Sequence, residues 1–417
     1  MKKFINAKIY RNDEASEILV DDGKIVEIGN SLADADEVID LDHKLVSAPF
    51  VDPHLHLDYV FVAGDGTGEG SGDSKSGTLF EAINRWPEIK KNQTVKDVKE
   101  RIYKGLYEEM RHGVQAIRTH IDVTDPKFTA LKAMLEVREE VKDKVDLQIV
   151  SFPQNGMYAF KGGAELVEEG LKMGADCVGG IPHFEWAREF GEKSIHEVVR
   201  LAVKYDKLID VHCDETDDTH SRFVELLNAL VLSEGIGKRT TASHTCSFGS
   251  ADNAYAFRMM DLFKKSGMNF TSQPTENVYL QGRQDSYPKR RGITRVKEFI
   301  ENGINVCFGQ DSINDPWYPL GNGNLMNILD NGIHLAQTMS LPEIHTVLDL
   351  ITINGAICLN MEDRYGIEAG KPANFIVLDA PNAFEAVRNR SDVLASVRHG
   401  EFLFKKKPVA YDVELSL

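Results

Sequence analysis

Eight short apolar runs recur through the middle of the chain, at 45–51, 114–119, 147–152, 177–181, 208–211, 240–243, 268–272 and 305–308. Longer segments with apolar residues at helical spacing separate them, for example 131–142 and 196–205. Short buried strands alternating with amphipathic helices make a parallel sheet, because each helix returns the chain to the same edge. Eight such units predict a closed (β/α)8 barrel of the TIM type in the α/β class. An open doubly wound sheet is the competing arrangement, and no G-x-G-x-x-G opens the first helix to support it. The ends of the chain differ. Near the N-terminus, 7–10, 16–20 and 24–28 alternate apolar and polar residues around an Asp21-Asp22-Gly23 turn, and 373–379, 393–398 and 402–404 do the same near the C-terminus. This pattern predicts a small β-sandwich-like domain built from both termini, residues 1–49 plus 365–417, around a barrel of residues 50–364.

Composition narrows the functional classes. With 48 Lys plus Arg against 65 Asp plus Glu, the net charge is −17, which argues against a nucleic-acid partner despite the local Lys289-Arg290-Arg291 run. No apolar stretch is long enough for a membrane span, and no apolar segment follows the N-terminal Met-Lys-Lys as a secretory signal requires. Five widely spaced cysteines without a C-x-x-C pair are expected to be free thiols in a reducing cytoplasm.

Nearly every run ends in polar or titratable residues, where barrels of this type collect their functional groups. In chain order these are His54-Leu55-His56, His120-Ile121-Asp122, Pro153-Gln154, His183, His212-Cys213-Asp214-Glu215, His244 and Gln310-Asp311-Ser312. Two residues apart on a strand, His54 and His56 point to the same face. Together with His212, His244 and Asp311 they predict a divalent-metal site at the barrel mouth. Glu215, three residues past His212, is the proton shuttle that activated water requires. His120 and Asp122 are read as supporting residues. His183-Phe184-Glu185 mimics the H-x-E of zinc cytidine deaminases but lacks the P-C-x-x-C that completes such a site.

Several stretches are longer and more specific: Arg118-Thr119-His120-Ile121-Asp122, Ser151-Phe152-Pro153-Gln154, Tyr287-Pro288-Lys289-Arg290-Arg291-Gly292 and Asp315-Pro316-Trp317-Tyr318-Pro319-Leu320-Gly321. With the histidine motifs they resemble bacterial cytosine deaminase, of the amidohydrolase superfamily, over nearly the whole chain. The resemblance implies one divalent ion, Fe2+ or Zn2+, held by His54, His56, His212 and Asp311. No lysine ends a strand to bridge a second. It implies catalysis by Glu215, His244 and Asp311, with Gln154 on the amide-like edge of a pyrimidine and Phe152, Leu79 and Trp317 lining the pocket. It also implies a nucleobase substrate and a homo-oligomer, a hexamer being one form. Gln310 and Ser312 depart from the family pattern. Gln310 should point away from the pocket with little effect. Ser312 replaces an aspartate near the exocyclic amine and C5 of cytosine, and the shorter, uncharged side chain should admit 5-methylcytosine. Another cyclic amidine (creatinine, isoguanine or a triazine) is the alternative substrate; a ring-opening hydrolase and a base sensor without turnover are more distant ones.

Overall fold

The computed structural model describes residues 1–63, 75–410 and 412. Eight parallel strands follow one another around a barrel: β1 (Phe50–Leu55), β2 (Val114–Asp122), β3 (Asp146–Phe152), β4 (Cys177–Gly180), β5 (Leu208–Cys213), β6 (Thr240–His244), β7 (Asn269–Ser272) and β8 (Val306–Phe308). Their residues are almost all buried because helices cover the outer face, as the apolar runs require. The helix Thr129–Val141, for instance, turns Leu131, Met134, Val137 and Val141 inward at spacings of three and four.

The ring closes at the functional end. Asp311 N–H donates to His54 O at 2.8 Å, and His56 N–H donates to Asp311 O at 3.1 Å. Gly309 permits that approach: a Cβ there would lie 3.0 Å from both Cβ and O of His54.

One expected run divides in two. Residues 45–51 read as a single strand, but Leu45–Ser47 pairs with Phe375–Leu378 and Lys8–Ile9, whereas β1 pairs with β2. Pro49 lies at the break, with no N–H for a ladder, and its carbonyl accepts from the Tyr365 hydroxyl at 2.6 Å.

Two further sheets use both termini. One orders Lys24–Gly29, Glu17–Asp21, Lys2–Ile5 and Glu37–Asp40; the other orders Glu401–Lys405, Val393–Arg398, Phe375–Leu378, Leu45–Ser47 and Lys8–Ile9. They share a core in which Phe4, Ile18 and Val46 meet Phe375, Val377 and Val397. The Asp21-Asp22-Gly23 turn has φ of 45° at Asp22 and 74° at Gly23, the conformation of a tight hairpin. Of the segments assigned above to the two domains, residues 64–74, 411 and 413–417 lie outside the described residues. No helix among the described residues is long and apolar enough to cross a membrane, and all five cysteines are buried without disulfides.

Candidate active site at the C-terminal mouth of the barrel

Strand ends deliver the histidines. His54 is the next-to-last residue of β1 with His56 just beyond the strand, His212 lies near the end of β5, and His244 is the last residue of β6. Asp311 follows β8 on the closing segment. His244 and Asp311 hold φ of 67° and 66°, left-handed values that L-residues seldom adopt and that cost about 1–3 kcal/mol each. Such strain persists where the surroundings fix a side chain in place.

The donor atoms converge. His56 Nε2 and His212 Nε2 are 3.0 Å apart, and Asp311 Oδ1 is 3.5 Å from the Nε2 atoms of both His54 and His56. His54, His212, His244 and Asp311 each bring one ligand atom within 4.8 Å of the others. Burial, reinforced by neighbouring histidines, lowers the pKa of His54, His56 and His212 well below the ordinary value, so their nitrogen lone pairs are free to bind a cation. His54 Nε2 has no hydrogen-bond partner. The opposite nitrogen, Nδ1, lies 3.0 Å from Ser243 Oγ, which donates to Asp210 Oδ1 at 2.6 Å. That chain fixes the ring with Nε2 turned inward, as a metal ligand needs. The residues present fit a divalent metal with nitrogen and oxygen ligands.

Glu215 stands beside this cluster, 3% exposed, with its carboxyl 3.5 Å from His244 Nδ1. Burial pushes its pKa up to about 8, against a hydrogen bond from Asn277 that lowers it. His244 is lowered to about 3, again by burial first, and is a neutral imidazole. The Asn277 amide donates to Glu215 Oε1 at 3.2 Å and also reaches His244 Nδ1 at 3.2 Å. In this arrangement Nδ1 accepts, so His244 Nε2 carries the proton and has no protein partner.

A narrow cleft opens onto these groups. Leu79, Gln154, Ser312 and Trp317 line it as expected. Phe152 does not. It lies behind the cleft, stacked on the His212 ring with centroids 4.2 Å apart. Tyr59 stacks between His56 and Trp317, at 4.8 and 4.7 Å, and its hydroxyl donates to Gln154 Oε1 at 2.5 Å.

The remaining polar residues divide between support and structure. His120 packs 4.1 Å from the His54 ring and 3.3 Å from Asp210. Asp122 instead accepts from Trp86 and Lys90, at 2.7 and 2.6 Å. Glu185 caps the backbone N–H groups of Met157, Tyr158 and Ala159. Gln310 braces the loop that carries Ser312: its amide donates to Ser312 O at 2.8 Å and accepts from Gly323 N–H at 3.0 Å. The sequence reading gave it no such task.

Tyr59, Asn277 and Glu276 were missed. Glu276 and Asn277 lie on the short helix Pro274–Leu280 that follows β7. Seven strand ends supplied candidate residues from sequence and the seventh strand supplied none; applying the same rule to Gln273-Pro274-Thr275-Glu276-Asn277 reaches Glu276 and Asn277. Glu276 also bears on Ser312. It is 3% exposed, lines the cleft and faces Ser312 and Asp311, so a carboxyl stands near the position where Ser312 lacks one.

This fold and mouth define the class. The amidohydrolase family pattern matches residues 37–404, and the chain belongs to that family. Among solved structures, 5-methylcytosine deaminase from Klebsiella pneumoniae liganded with 5-fluorocytosine aligns with a TM-score of 0.94 and 46% identity, covering 99% of each chain. N-isopropylammelide isopropyl amidohydrolase of Pseudomonas sp. (strain ADP) is 28% identical over 408 residues, 97% of either chain. Pterin deaminase of Rhizobium rhizogenes is 27% identical, over 94% of this chain and 89% of that one.

Proposed function

We propose that this protein is a hydrolytic deaminase of free cytosine-type bases that accepts 5-methylcytosine at least as well as cytosine. The observation carrying this reading is Glu215, a carboxyl whose burial favours its protonated form, in one narrow cleft with His56, His212 and Asp311, and His54 3.5 Å from Asp311. Full-length similarity to a 5-methylcytosine deaminase supports it.

His54, His56, His212 and Asp311 would hold a divalent ion, iron or zinc, which when bound would lower the pKa of a water toward neutrality. Overall, the water oxygen bonds to C4, the C4–N bond breaks, and ammonia leaves. Glu215 gives its proton to ring N3 and draws electrons away from C4. Asp311 Oδ2, which has no hydrogen-bond partner, accepts one proton of the attacking water and hands it to the departing amine. As the added O–H becomes the C4 carbonyl, its proton returns to Glu215. His244 Nε2–H donates to that oxygen while charge develops on it. Gln154, held by Tyr59, meets the amide-like edge of the ring, and Leu79 and Trp317 pack around it. Ser312 leaves room beside C5, where a buried methyl is worth roughly 0.8 kcal/mol.

Metal-reconstituted protein is assayed for ammonia release from cytosine, 5-methylcytosine, isoguanine, creatinine and pterin, and for isopropylamine release from N-isopropylammelide. Both pyrimidines should turn over, with kcat/KM for 5-methylcytosine at least equal to that for cytosine. Ser312→Asp should move the ratio toward cytosine by about 1–3 kcal/mol. Ammonia from another base alone overturns the substrate class, and an unchanged ratio in the variant overturns the role of Ser312.

A further inference from the structure

Glu276 is a buried carboxyl with no evident structural use. It is 3% exposed, its Oε2 has no hydrogen-bond partner, and it lines the cleft. The charged groups acting most strongly on it are themselves acidic, Asp315 and Glu215. Burying a carboxyl beside other carboxyls without a cation is costly, so a partner from outside the chain is the economical explanation. The position identifies that partner. One oxygen from each of Glu215, Glu276 and Asp311 lies within 4.8 Å of the others. Glu215 and Glu276 therefore both reach the place where the reacting carbon must sit.

An amidine presents two nitrogens on that carbon: a ring nitrogen that needs a proton and an amino group that offers N–H donors. We propose that Glu276 is a specificity-determining residue that accepts a hydrogen bond from the exocyclic amino group of the base and turns that group toward departure. The inference rests on the deaminase reading above and deepens it. Glu215 serves the ring nitrogen and Glu276 the leaving amine. Ser312, whose hydroxyl faces Glu276, stays short enough to leave the C5 side open. Recognition of the amine and tolerance of a 5-methyl group are thereby divided between two side chains.

The test uses the metal-loaded full-length enzyme and Glu276→Gln. KM for cytosine and 5-methylcytosine should rise about tenfold or more in Glu276→Val, which removes the acceptor, and by less in Glu276→Gln, which keeps a carbonyl acceptor. The inhibition constants of uracil and thymine, which lack the amine, should not rise. Metal per chain should be unchanged. The metal-free variant should melt at a higher temperature than the metal-free parent, because an unpaired buried carboxyl is gone. Glu276→Val provides a second removal of the carboxyl if the glutamine variant folds poorly. KM and product inhibition constants rising together would mark Glu276 as structural, and a loss of metal would mark it as a ligand; either overturns the proposal. If the parent enzyme releases ammonia from neither pyrimidine, the deaminase reading falls and this inference with it. Normal parent activity with an unmoved KM in both variants removes Glu276 alone.

Discussion

At the scale of single residues, environment rather than residue type separates an acid from its neighbours. Asp210 is as buried as Glu215, yet His120, Arg118 and Ser243 outweigh its burial and keep its pKa below the ordinary value. Glu215 has only Asn277 to oppose burial and rises to about 8. Glu215→Gln should bind substrate with near-normal affinity and lose about 10²–10⁴ in kcat, read by steady-state ammonia release. Its effect on stability has a definite sign. Between pH 4.5 and 8 the folded metal-free protein holds this proton while the unfolded chain has lost it, so the proton's contribution is full below 4.5 and gone by 8. Melting metal-free parent and Glu215→Gln at pH 5 and pH 8 should show the variant gaining on the parent at the higher pH. Parallel pH curves would mean that Glu215 is ionised in the fold.

At the scale of elements, the meeting of β1 with the segment after β8 both closes the barrel and sets the site. His54 O, His56 N–H and both backbone groups of Asp311 are the closing hydrogen bonds. Gly309→Ala would press a methyl 3.0 Å from His54 Cβ. Overpacking of this kind costs about 1–3 kcal/mol. Urea denaturation should register that loss, and metal per chain should fall with it because His54 and Asp311 move apart. Helices carry the less legible part. Glu276 lines the cleft and Asn277 bonds to Glu215 from a seven-residue helix whose sequence shows no metal motif and no long periodicity. Strand-end histidines could be read because strand geometry makes their direction predictable; on a short helix beyond a turn, position after the strand flags a residue but does not say which way it points.

Across the whole molecule, the histidines rest on a charged plug inside the barrel. Arg118 is 1% exposed; it donates to Asp210 at 2.9 Å, to Thr241 at 2.9 Å and to the Cys358 carbonyl at 2.7 Å. Asp210 in turn holds Ser243 and, through it, His54. Asp210→Ala leaves a buried guanidinium without its counterion and should cost about 3–5 kcal/mol in chemical denaturation. Chelation should abolish ammonia release and lower the melting temperature, with both restored by a divalent ion, because the ligands bind metal only when folded.

The sequence by itself determined the barrel, the β-rich ends and the identity of the strand-end histidines, because strand and helix periodicities are local and strand-end side chains point in known directions. It could not place the break at Pro49, since residues 45–51 are apolar throughout and only pairing partners distant in the chain assign Leu45–Ser47 to one sheet and β1 to another. Nor could it show that Phe152 backs His212 instead of facing the cleft, or that Asn277 joins Glu215 to His244. Those facts depend on how separate segments pack and on which buried polar atoms are left without partners, and neither exists until the chain is folded.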